Sequence, residues 1–532
     1  MNKSPTPVAG LHSASALLEG ATMGEMITTA LQRYPDRVAF LQDGRTLSYR
    51  QLGLKIGHAI ELFRSLGLKR GDVVAQLSRN RPEVYAVVAA AYIAGLTSTT
   101  LHAAGSLRDH AYILKDSEAK LFVVDGAHAH RAEEIRKSMR LDLHWFSHDE
   151  QQGLESFWQS AERLPARPFE PVGRYEDVIR LAYTGGTTGD PKGVMLSNRA
   201  LATNTLLALA GHEWPEELRF LCPTPISHGA GALILPTLWL GGTVILQTGF
   251  SADRVLDAIE AEGANFLFLV PTMIYALLDH PRVRRVDYSR LHSLFYGAAP
   301  MAPARISEAL QVFGPVLVQG YGQTEAPNTL LTLTRADHLA ADPRRLSAAG
   351  KPYPGIHIRL LGDDGAEVAR GEVGELCVRG PLVMSGYWKQ PELTAEAFSG
   401  GWLHTGDMAQ QDEQGFFYLV DRKKDLIISG GFNVYPGEVE KLLMEHPAVA
   451  AAAVIGIPDP KWGEAVKAIV VLRPEADACE GELIAHVREG KGPVCAPKSV
   501  DFVGALPVTT LGKLDKKALR ARYWGGSARA IN

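Results

Sequence analysis

With 532 residues, 46% of them hydrophobic, the chain is too long for one ordinary core and should divide into several. Its 55 Lys and Arg against 59 Asp and Glu leave a net charge of -4, without the global basic field that nucleic acid or an anionic membrane would attract. Four cysteines, Cys222, Cys377, Cys479 and Cys495, lie far apart with no CxxC and no zinc-like His spacing, so reduced thiols are expected.

The N-terminus carries one lysine, then Pro5 and Pro7, and a mild apolar stretch interrupted by His12 and Glu19, which makes a poor signal peptide. From residue 22 to about 125 the pattern alternates. Leu52, Ile56, Ala59, Ile60 and Phe63 form a helical stripe and Val73–Leu77 reads as a strand, the mark of a parallel sheet covered by helices. The longest uncharged apolar run, residues 84–96, is too short for a bilayer and reads as a buried helix. No integral membrane segment and a cytoplasmic location are therefore expected.

Residues 178–182 read as a buried strand that leads into Tyr-Thr-Gly-Gly-Thr-Thr-Gly-Asp-Pro-Lys-Gly-Val at 183–194. Glycines let backbone N–H groups approach an anion, threonines add donors, and Lys192 supplies a mobile positive charge. The stretch is thus suited to polyphosphate, at the carboxyl end of a strand where ligands of open α/β sheets gather. It is not a Walker A loop, because Gly193 follows the lysine and Asp190-Pro191 stands where a glycine is required.

Further on, Ser251 can cap a helix running to Gly263, and residues 264–270 form an apolar strand stopped by Pro271. A strand at 293–296 leads into Gly297-Ala298-Ala299-Pro300, and one at 316–318 leads into a loop containing Gly320, Tyr321, Gly322, Thr324 and Glu325. From about Leu360, glycines at 365, 371, 374 and 380 space short β-like runs, as in a small β-lobe. The charge run at 421–425 then marks a hinge. Beyond it a helix begins at Pro436 with Val439, Leu442 and Leu443 on one face, and a strand at 454–457 follows.

The 183–194 stretch, with its order of hydroxyls, glycines and one Pro-Lys-Gly, resembles the phosphate loop of the adenylate-forming superfamily, which includes acyl-CoA synthetases, firefly luciferase and nonribosomal-peptide adenylation domains. Residues 321–325 match that family's Tyr-Gly-x-Thr-Glu motif, 405–407 its Thr-Gly-Asp motif, and 507–513 its C-terminal Pro-x-x-x-x-Gly-Lys motif. Taken singly, Lys513 reads as a solvated lysine and Tyr321 as a core aromatic. Together the motifs occur in the family's order over almost the whole chain. One departure is Thr99-Thr100-Leu101-His102, where members commonly carry a proline-containing turn.

The resemblance implies a large N-terminal domain (1–421) of parallel α/β sheets plus a small β-lobe, and a small mobile α/β C-terminal domain (425–532) that rotates about Lys424. It implies an AMP-forming acid–CoA ligase with ATP, Mg²⁺ and coenzyme A, acting on a small-molecule carboxylic acid, with a homodimer as a compatible assembly. The nucleotide would meet Thr184, Gly185, Gly186, Thr187, Thr188, Gly189 and Lys192, then Gly297, Ala298, Ala299 and Tyr321 around adenine. Thr324 would donate to the α-phosphate, Glu325 would hold the metal, and Asp407 with Arg422 would bind ribose. Lys513 would be the lysine of the first half-reaction, and Gly430 and Gly431 would line the CoA passage.

His228, set against the alternative of a satisfied structural histidine, would gate an acid pocket floored by Gly297, Gly320 and Gly322 and lined by Leu233, Leu330 and Leu331. Such a pocket favours a bulky aromatic or a medium-to-long aliphatic acid. Two other readings remain: a ligase that loads a carrier-protein thiol, and a non-catalytic nucleotide-binding relative.

Overall fold

Alternating strands and amphipathic helices assemble the first part of the chain into an eight-stranded sheet, seen in a computed structural model that describes residues 20–103, 105–184, 190–340, 342–429, 432–508 and 514–524. Val73–Leu77 sits inside this sheet, parallel to Thr97–Thr100 on one side and to Ala119–Val124 on the other. The stripe from Leu52 to Phe63 is buried on the helix Tyr49–Ser65, and the apolar run folds as the helix Pro82–Ile93. That helix is hydrophobic all round because it is covered on all sides, with Val84, Ala86, Val87 and Ala90 among its buried residues.

Strand β1 (Val178–Thr184) extends the sheet parallel to Thr97–Thr100, and β2 (Lys192–Ser197) returns at once, antiparallel, with Thr184 opposite Lys192. The phosphate stretch therefore joins the arms of a hairpin. This changes one expectation: β1 is not wholly buried but buries only Ile179 and Leu181. A strand whose partner returns directly, with no covering crossover helix, needs apolar side chains on one face alone. Helix α1 (Asn198–Gly211) follows, capped by the Ser197 hydroxyl.

A nine-stranded sheet takes in β3 (Phe266–Leu269), β4 (Ser293–Gly297) and β5 (Leu317–Gln323) in parallel, with β6 (Ala326–Leu333) antiparallel to β5. Pro271 does more than stop β3, since it starts the helix Pro271–Leu278. The helix after Ser251 ends at Glu260, short of Gly263. A larger correction concerns Tyr321, expected in a loop but lying within β5 opposite Leu331. Its flanking glycines let this strand run on between close neighbours. A Cβ at Gly320 would stand 2.3 Å from Phe295, and one at Gly322 would stand 2.4 Å from the Asn328 nitrogen.

The two-residue strand β7 (Gly386–Tyr387) pairs with β2, and the β-lobe is a four-stranded sheet of His357–Leu361, Gly374–Arg379, β8 (Leu403–Gln411) and β9 (Phe417–Arg422). A 3₁₀ turn at Lys423–Asp425 carries the chain into β10 (Ile427–Ser429) of a separate five-stranded sheet, packed by α2 (Pro436–Glu445). The strand expected at 454–457 is the middle of Val449–Asp459, paired along its length with Gly463–Leu472. Across the turn, Asp421 accepts a hydrogen bond from the Gly437 amide at 2.7 Å, close to the half-buried Lys516–Glu440 ion pair of 2.8 Å. No helix among the described residues is long and apolar enough to cross a membrane.

Candidate active site

Lys192, Glu325 and Tyr387 meet because three backbone segments are stitched together. β7 pairs with β2, placing Tyr387 opposite Val194, and the Met384 amide donates to the Glu325 carbonyl at 2.8 Å. The Tyr387 hydroxyl then donates to Glu325 Oε1 at 2.9 Å, while Lys192 Nζ stands 5.8 Å from the centre of the Tyr387 ring. Burial, and then the Glu325 charge, push the Tyr387 pKa well above its ordinary value, so the phenol stays a donor. Glu325 Oε2 accepts no hydrogen bond from any described residue.

A second cluster gathers on the β-lobe. Asp407 and Arg422 are register partners on β8 and β9, and their side chains form an ion pair of 2.5 Å. The Tyr321 hydroxyl donates to the other Asp407 oxygen at 2.6 Å, which fixes the ring plane. Asp407 is buried, and Tyr321, half-buried and facing that charge, titrates far above the normal range. Gly297 and Gly320 lie opposite one another on β4 and β5, so close that a Cβ on Gly297 would stand 2.4 Å from the Gly320 oxygen. Ala298 takes a left-handed φ of 67°, turning the chain sharply at the end of β4.

Glu375 was not singled out from sequence, yet it orders the Asp407 loop. Its Oε1 accepts from the Gly406 amide at 3.1 Å and its Oε2 meets Lys423 Nζ at 3.2 Å and His404 Nδ1 at 3.1 Å. Burial alone would raise the Glu375 pKa, but His404 and Lys423 hold it below the usual carboxylate value. The available clue was one acid in an otherwise apolar strand, beside Leu376, Cys377 and Val378. Cys377 Sγ also comes within 3.4 Å of His404 Nδ1, and burial pushes this thiol up to about 12, away from ready ionisation.

The third feature is a small, mainly apolar cavity beside Gly229, the residue that follows His228. The Ser227 hydroxyl pairs with His228 Nδ1 at 2.8 Å, and the His228 ring meets His102 edge-on at 5.0 Å. Leu233, Phe268 and Phe295 line the cavity, as does Gly229, held by Asn328 Nδ2 at 3.1 Å. Leu330 and Leu331 do not; they are fully buried in the core, and Asn328 and Thr329 face the cavity in their stead. The left-handed Asn328 (φ 50°), next to a register shift between β5 and β6, accounts for the offset. Gly297, Gly320 and Gly322 do not line this cavity either, since neighbouring protein atoms fill the space beside each. Gly185, Gly186, Thr187, Thr188, Gly189, Gly430, Gly431 and Lys513 lie outside the described residues, as does the Lys424 side chain.

Two mainly parallel sheets, a β-lobe and a separate small sheet, with Lys192, Glu325 and the Asp407–Arg422 pair at or beside strand ends, have the form of a ligand-binding α/β enzyme. The chain belongs to the AMP-binding enzyme family. Residues 27–388 match that family's model, and 438–513 match the model of its C-terminal domain. Over 96% of its length it is 42% identical to a medium/long-chain-fatty-acid–CoA ligase of Mycobacterium tuberculosis, covering 91% of that protein. It is 39% identical to a feruloyl-CoA synthase of an Amycolatopsis species, covering 92% of this chain and 96% of the relative. Among solved structures, the amide bond synthetase McbA of Marinactinospora thermotolerans superposes with a TM-score of 0.87 at 34% identity, over 94% of this chain and 100% of that one. The enzyme is an AMP-forming acid–CoA ligase, and its substrates include ATP and CoA.

Proposed function

We propose that the acid is hydrophobic, either aromatic or a medium-to-long alkyl chain, and that it is joined to CoA through an acyl-adenylate. The observation that carries this reading is the uncharged lining of the cavity beside Gly229, with Leu233, Phe268 and Phe295 among its walls; at about 10 Å³ it must widen to take the acid. The two relatives named for fatty acids and for ferulate favour the same acid classes.

In the first step a carboxylate oxygen of the acid attacks the α-phosphorus of ATP, the bond to the β-phosphate bridge breaks, and pyrophosphate leaves. Thr184, Lys192 and the 185–189 loop hold the β- and γ-phosphates, and Thr324 donates to the α-phosphate. Tyr321 stacks on adenine beside Gly297, Ala298 and Ala299, while Asp407 accepts from ribose hydroxyls with Arg422 beside it. Lys513 bridges the two reacting anions. Glu325 fits Mg²⁺, being a hard oxygen donor with Oε2 unpaired among the described residues. The ion, once bound, neutralises phosphate charge. In the second step the CoA sulfur attacks the acyl carbonyl carbon and AMP leaves with the electron pair of the broken C–O bond. CoA enters past Gly430 and Gly431.

Domains at 1–421 and 425–532, turning about Lys424, would let one site serve both steps, and we place the enzyme in the cytoplasm as a homodimer. Sedimentation of the purified protein tests the assembly. AMP and pyrophosphate release over a panel of acids, with and without free CoA, tests the reaction. AMP turnover that needs acid and CoA fits the ligase; CoA-independent accumulation of acyl-adenylate, cleared only by a carrier protein, would replace it with the carrier-loading reading.

Lys424→Pro probes the hinge. Proline fixes φ near -65° and restricts the turn. Acyl-adenylate formation should persist, whereas thioester formation should fall by about tenfold or more. Equal damage to both steps, read by single-turnover assays, would place the hinge elsewhere.

A further inference from the structure

Asp116, the last residue of the helix Leu107–Asp116, has no part in the chemistry above, yet both arms of the phosphate hairpin lead to it. Successive strand residues point to opposite faces, so the register pair Thr184–Lys192 turns to one face and the next pair, Tyr183–Gly193, to the other. On that second face the Tyr183 ring crosses Gly193, where a Cβ would stand 3.1 Å from the ring and 3.2 Å from Trp388 Cβ. The Tyr183 hydroxyl donates to Asp116 Oδ2 at 2.6 Å, a short bond to a carboxylate. Burial, and then Asp116, push the Tyr183 pKa far above its ordinary value, so the phenol keeps its proton. Trp388 closes the other side of Gly193: its amide donates to the Gly193 carbonyl at 2.7 Å and its indole to the Asp116 carbonyl at 2.9 Å. Lys389 Nζ reaches the same Asp116 carbonyl at 2.7 Å. Trp388 in turn follows Tyr387, whose hydroxyl donates to Glu325.

We propose that Asp116 is a positioning residue for adenylate formation. Its carboxylate holds Tyr183 and its carbonyl holds Trp388, and together they set the spacing between Lys192 and Glu325, the groups that meet the phosphates and the metal of ATP. The inference rests on the placement of ATP proposed above. The same helix touches the hairpin a second time, through Arg108 and Asp190 at 2.8 Å, but that pair is exposed, and an exposed pair contributes little and is screened by salt. The half-buried Asp116 is the stronger tie. Without its bond the Tyr183 ring is free to swing off Gly193, and the two arms lose the anchor they share with the strand that carries Tyr387. Phosphate and metal would then be met by groups out of step with one another, which weakens ATP binding without touching an atom that reacts.

The first half-reaction is read as pyrophosphate release over a range of MgATP at saturating acid, and the second as thioester formation from supplied acyl-adenylate and CoA. Asp116→Ala and Tyr183→Phe should each raise KM for MgATP by about tenfold, with the second half-reaction within about twofold of the parent. Loss of active enzyme would instead lower both half-reactions together and leave KM alone. Removing a carboxylate's charge would by itself favour the phosphate anions, so a raised KM in Asp116→Ala reports geometry. Both substitutions delete one bond, so the double variant should be little worse than either single one. Asp116→Asn keeps an oxygen that can accept from Tyr183, and its KM should lie within about threefold of the parent. A parent KM in Asp116→Ala, equal losses in both half-reactions, additive effects in the double variant, or an Asn variant as poor as Ala would each overturn the role. Lys192→Met reads the ATP placement itself. If its KM for MgATP stays at the parent value, that placement falls and takes the role of Asp116 with it; a raised KM there, with parent values in the Asp116 variants, overturns Asp116 alone.

Discussion

Lys513→Ala is expected to be nearly inactive from acid plus ATP, yet to convert supplied acyl-adenylate and CoA at close to the parent rate. In the first step a carboxylate approaches a phosphate, and an ammonium between them offsets that repulsion and stabilises charge on the five-coordinate phosphorus. Deleting one such preorganised donor lowers a rate by on the order of 10²- to 10⁴-fold, about 3 to 5 kcal/mol of barrier. In the proposed second step the attacking sulfur would meet a neutral carbonyl, and a rotated C-terminal domain would have carried the lysine away. Rapid-quench measurement of each half-reaction decides the matter, and equal losses in both would remove Lys513 from the role proposed for it.

Glu325→Gln should reduce adenylate formation by on the order of 10²-fold and raise the Mg²⁺ concentration needed for half-maximal rate, because a neutral amide cannot balance the ion's charge. The substitution is mild structurally. Gln keeps a carbonyl oxygen able to accept from the Tyr387 hydroxyl, and the backbone bond between Met384 and the Glu325 carbonyl is untouched. The thermal midpoint should therefore move little. Pyrophosphate release by this variant at parent rate under limiting Mg²⁺ would rule out Glu325 as the metal ligand.

Much of the architecture was legible because period and punctuation survive in the sequence. The stripe from Leu52 to Phe63, the apolar run before Thr97 and the helix opening at Pro436 each fold as their patterns require. Lys192, Thr324, Glu325 and Asp407 stand out in the sequence as candidates because their glycine and hydroxyl surroundings are poor choices for a packed core. What escaped was set by contacts distant in the chain. Tyr387 reaches Glu325 across 62 residues, and Glu375 reaches Lys423 across 48, with no local pattern announcing either. Tyr321 lies in a strand because its glycines admit neighbouring backbone and Phe295, and a glycine-rich string gives no hint of whether it curls into a loop or threads between packed neighbours. The left-handed Asn328 offset the lining of the cavity, exchanging the expected Leu330 and Leu331 for Asn328 and Thr329.

Every residue lining the cavity falls between Asn204 and Thr329, on α1 and its cap, the turn Gly229–Leu233, β3, β4 and β6. The Asp407–Arg422 pair, Tyr387 and the joint between the two domains all come later in the chain. In the proposed mechanism, however, the two sets are interleaved, because Lys192 precedes this stretch and Tyr321, Thr324 and Glu325 lie inside it. A laboratory library aimed at acid preference therefore varies only the lining positions between 204 and 329 and holds Gly297, Ala298, Ala299, Tyr321, Thr324 and Glu325 fixed, since the Tyr321 hydroxyl also bonds Asp407.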